Sequence, residues 1–497
     1  MTTLRATRRG TALALAAALL ATTAGAAQAS GDPQPGSPEY VQRDLQNIAD
    51  ANSRQTASDG QLSATYLAAL QQQNPVFLGQ QSTQLGSPDR LALSPGQFFP
   101  GWNAGNPYRA EWSGKRGLTV PVAFTNRYGS LLRGDLFAPL PGAKDPYTGR
   151  ALHAPYPGVV FTTGSVQGSE RMYWWLAQDL AERGYVVLTY DVQGQGTSET
   201  LPHEGPAGLA GCAGPTGKGE TGLCDGVPFQ QTSNFVYGTE DAIDFFLSTP
   251  SHHYRNPVAG TTRVDRYNPL WALYDASPDP HPVTPGRTSR LGIAGHSLGA
   301  QAVSYVQAVD RRVSAVVALD KLSGSSSFTA LGPMKPVVPS LGLQSEYGFN
   351  VYPYTMSHGS SIAPQPGPPD QGPDPMREES TGFTTWKKAK VDTMVIVPRA
   401  STHLEYTDIT LALPASRYGQ DVASYYSQAW FDKYLKHDAG ADARLLATSF
   451  SYLEPVDVGV WKPVTLKRAD RLSFYYCSGY AMRSTGADDD IAKVDCT

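Results

Sequence analysis

The chain has 497 residues, with 40 basic side chains against 44 acidic ones and a formal charge of −4. No basic stripe offers itself to nucleic acid, so that class of partner is excluded. The length leaves room for one large decorated domain or for two.

Residues 1–29 read as a secretory signal peptide. Arg5, Arg8 and Arg9 form a basic start, an Ala/Leu-rich run follows to about residue 23, and Ala27-Gln28-Ala29 is an A-x-A cleavage site. The apolar run is too short to span a bilayer, and no later segment approaches the roughly 20 apolar residues of a membrane helix, so no stable membrane anchor is expected. Arg8-Arg9 raises the twin-arginine route, although Gly10-Thr11-Ala12 stand where large apolar residues belong. Either route ends outside the cytoplasm. Cleavage removes three arginines and no acid, which takes the formal charge to −7. Four cysteines in an exported chain fall into two local pairs, and disulfides Cys212–Cys224 and Cys477–Cys496 are expected among the three formal pairings. Neither pair is C-x-x-C with a histidine at ligand spacing, which argues against zinc.

Residues 30–117 are polar and rich in Gln, Ser, Pro and Gly, an N-terminal extension with helices expected over 38–51 and 62–73. Two strands, 118–124 and 131–137, are joined at Asn126-Arg127-Tyr128-Gly129 as a hairpin. Gly158-Val159-Val160-Phe161 is a near-continuous apolar run that suits a strand buried on both faces. From here helical and strand periods alternate, as a doubly wound sheet requires. Residues 172–183 read as helix, 185–190 as strand, 191–198 as a Gly-rich turn and 234–247 as helix. The strand 290–294 precedes a helix running to about Val309, and strand 313–319 ends at Asp320. A short strand begins at 339–343, the last central strand spans 391–397, and a helix over 421–436 covers it. Residues 357–374, dense in Pro, Gly and Ser, read as a long rim loop. The expected organisation is an α/β catalytic domain at 118–452 and a small β appendage at 453–497, with Leu472-Ser473-Phe474-Tyr475-Tyr476 and the second cysteine pair.

The chemistry centres on Gly295-His296-Ser297-Leu298-Gly299, a G-x-S-x-G pattern between a strand and a helix. A serine on such a tight turn has strained backbone angles that only small flanking residues allow, and its hydroxyl is thrust above the sheet edge. A serine hydroxyl is a weak nucleophile at neutral pH, so it needs a base, and the base needs an orienting acid. Only His358, His403 and His437 lie downstream. His437 reads as a solvated helix-end residue and His358 as a loop residue with no strand to fix it, whereas His403 follows the last central strand, where the base should stand. The acid is expected at Glu346, after the strand before the histidine strand, with Asp320 as the alternative. Backbone amides of Leu298 and of Ser165, or of its neighbour Val166, are the expected donors to a developing oxyanion.

The elbow around Ser297, the turn Asp191-Val192-Gln193-Gly194-Gln195-Gly196-Thr197-Ser198 and the late His403 together resemble the α/β-hydrolase superfamily. Within it, Val159-Val160-Phe161-Thr162-Thr163-Gly164-Ser165, Tyr173-Trp174-Trp175-Leu176-Ala177 and Gly184-Tyr185-Val186-Val187 look like secreted bacterial esterases of the dienelactone hydrolase, cutinase-like and platelet-activating-factor acetylhydrolase groups. The likeness covers roughly 118–436. It departs in having a glutamate where an aspartate is usual, and in the extension before Leu118 and the tail after Tyr452.

The resemblance implies a mostly parallel doubly wound sheet and a secreted serine hydrolase that cleaves carboxylic esters, small-molecule or polymeric, without a cofactor. A serine peptidase of the same fold has the same triad, but it would usually carry a large lid or propeller, and only 201–232 and the Pro-rich loop could serve here. A non-catalytic binding protein on this scaffold would usually have lost nucleophile or base, and both remain. Trp174 and Trp175 read as core rather than acyl pocket. Asp488-Asp489-Asp490 reads as a solvated acidic run rather than a calcium site. No H-E-x-x-H or G-x-x-x-x-G-K-[ST] motif supports metalloprotease or nucleotide chemistry.

Overall fold

The computed structural model describes residues 32–496 except 55–56, 58–59, 92, 99–102, 167–168, 203–223, 225, 257–263, 325–330, 332 and 410–417. The expected signal peptide at 1–29 and Cys212 therefore lie outside the described residues, as does most of the stretch 201–232. Residues Gln34–Thr497 form one compact unit.

Its centre is a ten-stranded sheet. Strands β1 (Gly117–Thr125), β2 (Leu131–Pro139), β3 (Gly158–Thr162), β4 (Val186–Tyr190), β5 (Leu291–His296), β6 (Val313–Leu319) and β7 (Ser340–Leu343) lie in the order β1-β2-β4-β3-β5-β6-β7. After the small hairpin β8 (His358–Ser360) and β9 (Ala363–Gln365), the sheet continues with β10 (Thr393–Ile396). Strands β11 (Ser449–Asp457) and β12 (Val460–Lys467) pair with each other, and β13 (Gly479–Met482) and β14 (Gly486–Asp488) extend the sheet beyond β10. Every pairing from β4 through β3, β5, β6 and β7 to β10 is parallel, and the flanking pairs at both edges are antiparallel.

The helices are α1 (Pro38–Ser53), α2 (Ala64–Leu85), α3 (Pro95–Phe98), α4 (Trp174–Glu182), α5 (Thr232–Phe246), α6 (Leu298–Val309), α7 (Phe383–Lys388), α8 (Tyr418–Leu435) and α9 (Ala441–Leu445). The central strands are apolar and buried throughout because both faces are covered. Successive side chains point to opposite faces. Thus Val159 and Phe161 pack with Trp175, Leu180, Trp430 and Phe431 of α4 and α8, while Val160 packs with Phe235, Ile243, Val303 and Val306 of α5 and α6.

Several elements differ from the sequence reading. The second extension helix runs on to Leu85, through Pro75. The Pro-rich rim stretch contains the β8–β9 hairpin. The tail is only partly an appendage. Residues 472–476 are not a strand; Leu472 makes one isolated bridge to Pro398, and the strand that continues the sheet is β13, paired antiparallel to β10. The open edge of β10 needs backbone partners, and β13 supplies them. The Cys477–Cys496 disulfide is present, with a Cα–Cα distance of 5.9 Å. Cys224 is buried against Tyr128, and none of the described cysteines is free. Trp175 is wholly buried, and Trp174 packs on the same core with its indole nitrogen donating to Glu170.

Candidate active site

The parallel strands deliver their C-terminal ends to one edge of the sheet, where an open α/β sheet presents its ligand crevice. Ser297 stands just past β5 at φ +56°, ψ −121°, a strained conformation for a residue with a side chain. The two glycines make the turn sterically possible. A Cβ on Gly295 would lie 2.4 Å from the Gly299 carbonyl oxygen, and one on Gly299 would lie 2.4 Å from that of Thr162. The serine amide donates to Leu319 of the neighbouring strand at 2.9 Å, which anchors the turn to β6.

Three side chains then form a hydrogen-bonded line. His403 Nε2 lies 2.9 Å from Ser297 Oγ, and His403 Nδ1 lies 2.7 Å from Asp320 Oδ2. Asp320 is buried, and it also accepts from the Ser345 hydroxyl at 2.6 Å and the Ser345 amide at 3.2 Å. Burial by itself would raise the Asp320 carboxyl. The hydrogen bond and charge of His403, then Lys321 and Ser345, outweigh it and hold the group at about 2. Asp320 is therefore a carboxylate at any pH near neutrality.

The acid behind the histidine is thus Asp320, and the expectation of Glu346 is corrected. Asp320 directly follows β6, whose Leu319 is in register with His296 of β5, so it emerges beside the serine turn. Glu346 lies three residues beyond the end of β7, where the chain has already turned away. Its buried carboxylate accepts from Asn47 Nδ2 of α1 at 2.7 Å, the Ala400 amide at 2.6 Å and Ser473 Oγ at 2.6 Å. Burial pushes this carboxyl up, and those three donors oppose the push. Glu346 is a clamp: it ties the N-terminal extension, the loop before His403 and the tail into one piece. Arg399 reinforces it by donating to Asn47 Oδ1 at 2.9 Å.

A residue that the sequence reading left without a role is His296. Its Nε2 lies 3.0 Å from the His403 carbonyl oxygen, its Nδ1 lies 3.0 Å from Tyr173 Oη, and Tyr173 Oη in turn accepts from the Gly164 amide at 3.0 Å. The proton directions follow from the partners. A carbonyl only accepts, so Nε2 carries the hydrogen; Nδ1 then accepts from the tyrosine hydroxyl. Burial, followed by the nearby His403, keeps His296 well below its ordinary value, so the ring stays neutral as this chain of bonds requires. The relay joins the loop carrying Ser165 to the backbone of His403 through the residue preceding the serine. Its only sequence signal was a polar side chain at a position packed inside the elbow.

Leu298 opens α6, where a helix has no internal acceptor for its first amides. The Gly164 amide is engaged by Tyr173, and the chain then turns at Ser165 and Val166, the latter at φ +68°. Both expected regions for the oxyanion donors therefore flank the elbow, with β3 adjacent to β5. The other downstream histidines are elsewhere: His358 is on β8, and His437 Nε2 lies 2.7 Å from Asp279 Oδ2 and so is hydrogen-bonded rather than simply solvated. In the acidic tail, Asp489 pairs with Lys387, and Asp490 accepts from the Val494 and Asp495 amides.

The chain matches no protein-family model and no curated protein.

Proposed function

We propose that this protein is an exported serine hydrolase of carboxylic esters with the α/β-hydrolase fold. The observation that carries the reading is the Ser297–His403–Asp320 line, built on a strained serine turn at the C-terminal edge of a parallel sheet. In this reading His403 Nε2 takes the Ser297 proton as Oγ attacks the ester carbonyl carbon, and Asp320 holds the imidazole tautomer and the transient imidazolium. The Leu298 and Ser165 amides receive the charge on the carbonyl oxygen. Collapse of the tetrahedral species breaks the carbon–oxygen bond to the alcohol, which leaves with the proton held by His403. Water, deprotonated by the same histidine, then releases the acid and restores Ser297.

The test is labelling with a fluorophosphonate probe, which phosphonylates an activated serine. Wild type is expected to label at Ser297 and Ser297→Ala to remain unlabelled; labelling that persists in Ser297→Ala overturns the assignment. Comparing p-nitrophenyl esters with aminoacyl anilides then separates ester from peptide hydrolysis, with the esters expected to turn over. Export is read from the leader sequence at 1–29, and a secreted product with an N-terminus near Ser30 is the expected result.

A further inference from the structure

The His403 imidazole lies between two rings. On its inner side the buried His296 ring lies 4.6 Å away at 35°, and on its outer side the Phe349 ring meets it edge-on at 4.7 Å and 66°. His403 itself is buried, whereas Phe349 is 50% exposed. The backbone just before Phe349 is anchored to the His403 loop: the His403 amide donates to the Gly348 carbonyl at 2.9 Å and the Tyr347 amide donates to the Ser401 carbonyl at 2.9 Å. Gly348 is pressed against the β8–β9 turn: a Cβ there would lie 1.9 Å from the Ser361 carbonyl oxygen and 3.3 Å from the Ile362 Cα. Ile362 is 60% exposed. Phe349, against the His403 imidazole, and Ile362, on the segment packed against Gly348, are thus two large exposed apolar side chains on adjoining stretches of backbone.

We infer that Phe349, with Ile362 beside it, is the wall for the apolar alcohol half of the ester. The inference rests on the hydrolase reading above and names the leaving group which that site favours. The reaction places this half of the substrate. As the acyl–oxygen bond breaks, the alkoxide oxygen takes its proton from His403 Nε2, so that oxygen must come within about 3 Å of the nitrogen. The carbons attached to it then lie about 4 Å from the imidazole, within the range at which the half-exposed Phe349 ring also meets it. The carbonyl oxygen is committed to the amides of Leu298 and Ser165, and the attacked carbon to Ser297. An alkyl alcohol thus gains apolar contact as it lengthens, and a charged or heavily hydroxylated one loses water without compensation.

The experiment uses the full mature chain and two ester series, acetates of C1 to C8 alcohols and methyl esters of C2 to C8 acids, followed by titration of released acid. In wild type, kcat/KM is expected to rise about two- to fourfold for each of the first few CH₂ groups added to the alcohol. In the Phe349→Ser, Ile362→Ser double variant that rise should flatten, while the dependence on acyl length is preserved. Phe349→Leu, which keeps apolar surface, should retain most of the rise and guards against a folding artefact. An alcohol-length dependence equal in wild type and double variant, or a loss confined to the acyl series, overturns the inference. Absence of fluorophosphonate labelling in wild type would instead reject the hydrolase reading, so the two failures are distinguishable.

Discussion

Replacing Asp320 by Asn keeps the shape of the side chain and removes its charge. The drop of its carboxyl from the ordinary 3.8 to about 2 is won against complete burial, and it reports a net interaction on the order of 2 kcal/mol with its partners, chiefly His403. Losing an interaction of that order with the developing imidazolium slows the reaction by about one to two orders of magnitude. An asparagine that instead donates to Nδ1 also traps the imidazole in the wrong tautomer, a defect worth about 10⁴ in a Ser-His-Asp hydrolase. We therefore expect Asp320→Asn to lower kcat by about 10² to 10⁴ with little change in KM. Glu346→Gln should behave differently. It sets an amide against the Asn47, Ala400 and Ser473 donors, which costs about 1–3 kcal/mol of stability, and should leave kcat within about tenfold. The assay pairs steady-state hydrolysis of p-nitrophenyl acetate with urea unfolding for both variants. If Glu346→Gln abolished turnover at unchanged stability while Asp320→Asn retained full rate, the reasoning from hydrogen-bond geometry would be refuted.

His296→Gln keeps a donor for the His403 carbonyl and should lose less kcat than His296→Leu, which breaks the relay at both ends; equal losses in steady-state assays would show that only the volume of the ring matters. Because burial depresses His296, the unfolded chain takes up a proton below about pH 6.5 that the folded chain refuses, so stability falls as pH falls through this range, by at most about 1.4 kcal/mol per pH unit. Urea midpoints at pH 7.5 and 5.5 should therefore converge between wild type and His296→Gln at the lower pH; a constant gap would contradict the depressed value. Gly299→Ala drives a methyl to within 2.4 Å of the Thr162 carbonyl oxygen and 2.5 Å of that of Thr163, and should cost fluorophosphonate labelling at least tenfold in rate. Reducing Cys477–Cys496, which closes a loop across a sequence separation of 19, should lower stability by about 3 kcal/mol, read as a shift in urea midpoint with and without reductant.

Local patterns carried the serine turn and the histidine. Gly295 and Gly299 announce a close backbone approach that needs no tertiary information, and the apolar runs at β3, β4, β5 and β6 identify strands covered on both faces. His403 was legible by elimination, since it alone of the late histidines stands just after the last parallel strand. The Pro-rich stretch concealed the β8–β9 hairpin because three-residue strands leave too little periodicity to read.

The sequence by itself therefore determined the position of the serine turn and the alternation of strands and helices, because both are written in spacings of a few residues. The acid was different: Asp320 and Glu346 each satisfy the order serine, acid, histidine, and chain order holds no distances. What decides between them is that β6 lies beside β5 and ends in register with it, while the chain beyond β7 runs on through Gln344 and Ser345 to Glu346 and is captured there by α1 and the tail. The relay through His296 and the packing of Phe349 on His403 also join residues far apart in the chain. Contacts of that range exist only once the sheet has assembled and its C-terminal edge has brought the loops together.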